Sequence, residues 1–178
     1  MQFSIREVIE NTDAQLLKGD INSDVKFLIS TDTRKINNGD FYLPLRGENY
    51  DGHSFIDNAV KSGAIGYFTQ DKTKINNDVE FIVYVKNSLL TYLKLANYLR
   101  RKINPKVIAI TGSSGKTTVK EMLYSVFSTT FKTHKTALNH NNEIGLCQTM
   151  FEMPLDCEYL ILEMGMRNLG EIELLCQF

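Results

Sequence analysis

The chain has 178 residues, 43% of them apolar and 23% charged. This globular composition suits one ordinary domain or two small ones and excludes a disordered, collagen-like or coiled-coil chain. Twenty Lys and Arg residues against 21 Asp and Glu leave a formal net charge of −1, so bulk electrostatic capture of nucleic acid is not expected, although a local phosphate site is compatible with it.

In chain order, Ser4-Ile5-Arg6-Glu7 reads as a capping box opening a short helix. Val25 to Ser30 and Phe41 to Leu45 are strand candidates, the second ended by Arg46-Gly47-Glu48-Asn49. Ser54 to Lys61 reads as a helix capped by Ser54, with Gly63 beyond its end. Ala64 to Thr69 and Glu80 to Val85 are β-rich. Ser88 to Lys102 repeats apolar residues at helical spacing, with Ser88 as the expected cap. Asn104-Pro105 then breaks the pattern, because proline disfavours helix in the residue before it. That break predicts two domains, 1–104 and 105–178.

Beyond it, Lys106 to Thr111 is a short β-branched run expected to be a strand buried on both faces. A glycine-rich turn, a helix over about Thr117 to Phe127, a strand over Phe131 to His134 and a helix over Glu143 to Phe151 are expected to follow. A buried strand over Glu158 to Glu163 and a helix over Gly170 to Cys176 complete the series. Strands alternating with helices predict an α/β fold: a small α/β domain, then the start of a three-layer parallel-sheet domain.

The segment with the clearest chemistry is Thr111-Gly112-Ser113-Ser114-Gly115-Lys116-Thr117-Thr118. Its glycines let successive N–H groups point inward, and the following helix N-terminus adds donors for phosphate. Lys116 adds a mobile positive charge, and the Thr117 hydroxyl suits a magnesium ion bridging phosphates. Ile110 stands where the common phosphate loop has its first glycine, leaving a shorter G-x-x-G-K-T core. Glu163, ending a hydrophobic strand at the edge where α/β sheets bind ligands, is a candidate magnesium ligand, directly or through water; a solvated strand-end glutamate is the alternative. Asn139 to Gly145 is a polar run that is either a plain turn or a source of amides near phosphate or metal. In the first domain, Thr33, Arg34, Arg46, Gly47, Asp51, Gly52 and His53 gather at loop tips. Arg34 and Arg46 match phosphate geometry, although solvated loops would carry the same residues.

No apolar run approaches the roughly 18 residues of a membrane span. The N-terminus MQFSIREVIENTD lacks the pattern of a signal peptide. Cys147, Cys157 and Cys176 are not in C-x-x-C spacing and are expected to pack as small hydrophobes in a reducing cytosol, with metal or redox roles as the alternative. His53, His134 and His140 offer no i, i+4 pair for zinc.

Four stretches in this order, TDTRKINNGDFYLPLRGENYDGHSFIDNAVKSGA, ITGSSGKTTVKEML, NHNNEIG and LEMGMRNLGEI, resemble the Mur ligases, the amide ligases of peptidoglycan precursors. The short loop is the form these ligases carry, which accounts for Ile110. The resemblance implies that 1–104 binds a UDP-sugar-peptide through Thr33, Arg34, Arg46, Gly47, Asp51, Gly52 and His53. It implies that 105–178 begins an ATP-binding domain, with Gly112, Ser113, Ser114, Gly115, Lys116, Thr117, Thr118 and Asn142 on the nucleotide. Lys116 and Glu163 would be catalytic, Thr117 and Glu163 would hold magnesium, and either Asn142 or Glu143 would approach the γ-phosphate. The implied chemistry is phosphorylation of a peptide carboxylate by ATP, followed by attack of an amine on the acyl phosphate.

The Asn-Asn-Glu-Ile-Gly and Met-Gly-Met-Arg-Asn-Leu-Gly-Glu-Ile segments favour a member joining D-alanyl-D-alanine to UDP-N-acetylmuramoyl-tripeptide over one adding a single amino acid. The implied protein is cytoplasmic, binds neither membrane nor nucleic acid polymer, and is a monomer at full length. Family members continue past the equivalent of Phe178, so the chain is expected to be an N-terminal part, inactive in ligation alone. A non-catalytic UDP-substrate-binding module and an unrelated phosphate-loop kinase are the competing readings.

Overall fold

A computed structural model describes residues 2–47, 50–73, 75–137, 140–166 and 168–178. Glu48, Asn49, Asn139 and Arg167, which belong to the motifs above, lie outside the described residues. The chain divides into two compact units, Gln2–Leu95 and Ala96–Phe178.

The first unit opens with α1 (Ile5–Asn11). Its capping box is formed as expected: the Glu7 amide donates to Ser4 Oγ and the Ser4 amide to Glu7 Oε2. β1 (Gln15–Lys18), β2 (Ile29–Ser30), β3 (Phe41–Tyr42), α2 (Ile56–Lys61), β4 (Gly66–Thr69) and β5 (Phe81–Tyr84) follow. They build a five-stranded sheet in the order β1-β5-β4-β3-β2, parallel except for β1. β1 has no β-branched residue and escapes the sequence pattern; its ladder with β5 defines it.

Two strands are shorter than expected. Phe27 makes only an isolated bridge with Phe3. Pro44, which lacks an amide, lies just past β3, and Leu43 still donates to the Ser30 carbonyl at 2.9 Å. Phe27, Phe41 and Phe68 stack in series at centroid distances of 4.5 and 5.0 Å. A second cluster, Tyr42, Ala59, Ala64, Tyr67, Val79 and Ile82, packs α2 on the sheet.

Two expected caps are replaced by stronger acceptors. Residues Gly52–Phe55 form a 3-10 turn capped by the Asp51 carboxylate, and α2 starts only at Ile56. The Ser54 hydroxyl donates to the Asp51 carbonyl at 2.7 Å instead of capping a helix. At α3 (Ser88–Ile103), Asn87 Oδ1 accepts the Leu90 amide at 2.9 Å, so Asn87 caps the helix and Ser88 is its first residue. α3 crosses the division between the units and ends where Asn104 turns left-handed at φ 57° before Pro105.

The second unit continues with β6 (Lys106–Ile110), α4 (Lys116–Phe127), β7 (Thr133–Lys135), α5 (Glu143–Phe151), β8 (Tyr159–Glu163) and α6 (Glu171–Cys176). The sheet is parallel, in the order β6-β8-β7. Alternation along β8 sets its two faces: Tyr159 meets Phe127 of α4 at 4.7 Å, whereas Leu162 faces Leu146 and Met150 of α5 and Leu175 of α6. Helices thus cover both faces of the sheet, and the α/β architecture is that expected. β8 is central and buried. β6 is not, contrary to expectation: it borders β8 alone and Val107 is 40% exposed. Phe131 leaves the expected strand to stack on Tyr159 at 4.8 Å. Cys147 and Cys157 are buried free thiols; Cys176 is exposed, against expectation.

Candidate nucleotide and substrate sites

The glycine-rich loop joins β6 to α4. Gly112 and Gly115 have φ of 150° and 76°, a region other residues rarely adopt, and Gly115 is the residue before the helix. Ser113, Ser114 and Thr118 are exposed around the unpaired amides of the first helical turn. The Lys116 ammonium folds back to donate to the Gly112 carbonyl at 2.6 Å, which places its charge across the loop.

Glu163 stands at the end of β8, opposite Ile110 in the ladder. Its carboxylate is 3% exposed and gathers three donors, two from α4 and one from the loop before α5. Thr117 Oγ1 donates to Oε2 at 3.0 Å, Asn141 Nδ2 donates to Oε1 at 3.2 Å, and Lys120 Nζ lies 3.3 Å from Oε2. Burial pushes the Glu163 carboxyl up, but the hydrogen bonds from Asn141, Thr117 and Lys120 outweigh it and hold the group below its ordinary value. The backbone locks this end of the strand: the Glu163 amide donates to Thr136 Oγ1 at 3.0 Å and the Gly165 amide to the Asn141 carbonyl at 2.7 Å.

Thr117 and Glu163 therefore meet, as the sequence suggests. A hydroxyl and a carboxylate are hard oxygen donors, and together with the adjoining loop amides they suit magnesium carrying phosphate. Asn142 Oδ1 accepts the Gly145 amide at 2.9 Å and caps α5. The amide side chain that reaches Glu163 is that of Asn141. Asn141 belongs to the polar run singled out in the sequence, whereas Lys120 escapes sequence reasoning, although it stands three residues after Thr117, on the same helix face.

In the first unit, Asp32 caps a 3-10 turn over Thr33–Lys35. Arg34 grips Asp32 with Nε at 2.9 Å from Oδ1 and Nη2 at 2.7 Å from Oδ2, which holds the Asp32 carboxyl at about 2. Arg46 Nε donates to Asp51 Oδ2 at 3.0 Å, and His53 Nδ1 lies 2.7 Å from Asp51 Oδ1. Gly52 is needed for close approach, since a Cβ there would sit 2.5 Å from the Leu45 carbonyl oxygen. Gly47 donates its amide to the Tyr50 carbonyl at 2.9 Å. Tyr42 is buried and donates its hydroxyl to the Gly52 carbonyl at 2.9 Å. Burial, reinforced by the charges of Tyr50, Asp32 and Asp51, pushes its phenol up to about 12. A cleft of about 720 Å³, lined among others by His53, Asp57, Tyr67, Asn76 and Asp78, adjoins the His53 turn.

Residues 27–106 match the model described as Mur ligase family, catalytic domain, and residues 110–178 match the Mur ligase middle domain. The chain belongs to the Mur ligase family. It is 38% identical over 174 residues to UDP-N-acetylmuramoyl-tripeptide–D-alanyl-D-alanine ligase of Synechocystis sp., covering 97% of this chain and 38% of that protein. Among solved structures it resembles the UDP-N-acetylmuramoylalanyl-D-glutamyl-2,6-diaminopimelate–D-alanyl-D-alanyl ligase of Acinetobacter baumannii, with a TM-score of 0.89 and 31% identity over 97% of this chain and 38% of that one. It also resembles the MurF ligase of Thermotoga maritima in complex with ADP, with a TM-score of 0.76 and 33% identity over 84% of this chain and 34% of that one. The chain thus spans well under half the length of these relatives. No helix among the described residues is long and apolar enough to cross a membrane.

Proposed function

We propose that the chain supplies the ATP-binding and UDP-substrate-binding parts of a cytoplasmic, magnesium-dependent amide ligase. Its substrates are a UDP-N-acetylmuramoyl-tripeptide and D-alanyl-D-alanine. The observation that carries the nucleotide half is the meeting of Thr117 Oγ1 and Glu163 Oε2 at 3.0 Å beside the short glycine loop. In this reading Gly112, Ser113, Ser114, Gly115 and Thr118 surround the phosphates, and Lys116 moves its charge from the Gly112 carbonyl to the transferring phosphoryl group. Thr117 and Glu163 hold magnesium, which supplies charge neutralisation for phosphoryl transfer. Asn142 contributes by capping the helix beside the site. The peptide carboxylate becomes electrophilic once phosphorylated, and the dipeptide amine is the nucleophile, so the protein provides position and charge rather than a nucleophile of its own.

The UDP half falls to the domain proposed over 1–104, with Arg34 and Arg46 exchanging their carboxylate partners for diphosphate. Thr33, Gly47, Asp51, Gly52 and His53 shape the same surface. Calorimetric titration with each ligand separately tests both assignments. Lys116→Ala is expected to lose magnesium-ATP affinity and keep that for the UDP-tripeptide. Arg34→Ala is expected to do the reverse, losing about 1.5–3 kcal/mol for a charged contact. Loss of the same ligand in both variants contradicts the division of labour.

A further inference from the structure

Lys120 is the most deeply buried cation described in the second unit. Its side chain is 1% exposed, and its ammonium lies 3.3 Å from Glu163 Oε2, the oxygen that also accepts from Thr117. It approaches from α4, one turn beyond the loop, beneath the exposed edge where Lys116 stands. A second carboxylate is close by: Glu121 Oε1 lies 3.6 Å from the same ammonium. Glu121 is half exposed and also pairs with Lys135 of β7. The ammonium therefore sits between a buried carboxylate and a surface one.

We infer that Lys120 is a resident cation of the Glu163 carboxylate, which a divalent metal has to displace, and that Glu121 receives the ammonium when it is displaced. The inference rests on Glu163 being a metal-holding residue, as proposed above. A positive charge within hydrogen-bonding distance of a carboxylate opposes a second cation on the same group, and burial weakens the screening that would relieve the opposition. A bare divalent ion meets this opposition alone. An ion arriving with nucleotide phosphates brings compensating negative charge, so the metal enters with the nucleotide rather than ahead of it. Lys120 also keeps the buried carboxylate paired before the metal arrives, since leaving such a charge unpaired is costly. On this account Lys120 is a positioning residue: it acts on the metal through Glu163.

The test is Mn2+ binding to the chain without nucleotide, followed by electron paramagnetic resonance, which reads metal occupancy independently of turnover. Lys120→Met is expected to bind Mn2+ about tenfold or more tightly than wild type, because the opposing charge is gone. Glu121→Gln is expected to bind it several-fold more weakly, because the displaced ammonium loses its second partner. Glu163→Gln and Lys120→Met/Glu163→Gln are both expected to lose this binding. Weaker or unchanged Mn2+ binding in Lys120→Met, with binding still abolished by Glu163→Gln, overturns the inference and leaves the metal assignment standing. Mn2+ binding that survives Glu163→Gln overturns the metal assignment itself. If Lys120→Met does not fold, Glu121→Gln decides alone: affinity equal to or above wild type overturns the inference.

Discussion

Tyr42 anchors the Gly52 turn through its hydroxyl, and its chemistry gives a pH signature. The buried phenol holds its proton to about 12, against an ordinary value of 10.0. A raised folded value means that the stabilisation is complete below pH 10 and is lost as the pH rises through 12. Burial also pushes the Tyr67 phenol up, so phenolate absorbance should show a late titration among the eight tyrosines, and Tyr42→Phe should remove its latest step. The same substitution deletes the hydrogen bond to the Gly52 carbonyl and should cost about 0.5–1.5 kcal/mol in denaturant unfolding. Persistence of that latest step in Tyr42→Phe assigns the shift to another tyrosine. The residue types of the candidate sites are legible in the sequence, but their partners are not. That Asp51 joins Arg46 to His53, or that Lys120 lies against Glu163, depends on which side chains the fold brings within 4 Å.

At the scale of the element, α5 is held to the site by its first turn. Asn142 caps it, and Gly145 lets the chain at His140 pass so close that a Cβ would lie 2.5 Å from the His140 backbone. Asn142→Ala should cost about 1 kcal/mol of stability, and Asn142→Ser should recover most of it, because serine caps as well. Near-wild-type unfolding of Asn142→Ala would show that the cap is not where the side chain matters. Gly145→Ala should be worse, about 1–3 kcal/mol, since backbone rather than a side-chain tip must move. It should also disturb Asn141, which reaches Glu163 from the same loop.

Elements with strong periodicity or a clear stop were readable in advance: α3 ending before Asn104-Pro105, α4 following the glycine loop, and β8 as an apolar run. Those that failed depend on tertiary context. β1 exists through its pairing with β5, and β6 carries a buried-strand sequence at a sheet edge. The caps at Asn87 and Asp51 won over the neighbouring serines because the amide and carboxylate oxygens reach the first-turn amides.

For the whole molecule, the sequence break at Pro105 and the structural division at Leu95 and Ala96 differ because α3 belongs by pattern to one segment and by packing to both units. In the proposed function each unit takes one ligand, and in the second Glu163 and Thr117 make nucleotide binding depend on magnesium. The most direct test is ATP titration by calorimetry, with magnesium and with EDTA, on wild type and Glu163→Gln. Wild type should bind ATP at least tenfold more tightly with magnesium, a difference of about 1.4 kcal/mol, and Glu163→Gln should lose most of that difference while keeping the magnesium-free affinity. An equal magnesium effect in both proteins would contradict the claim.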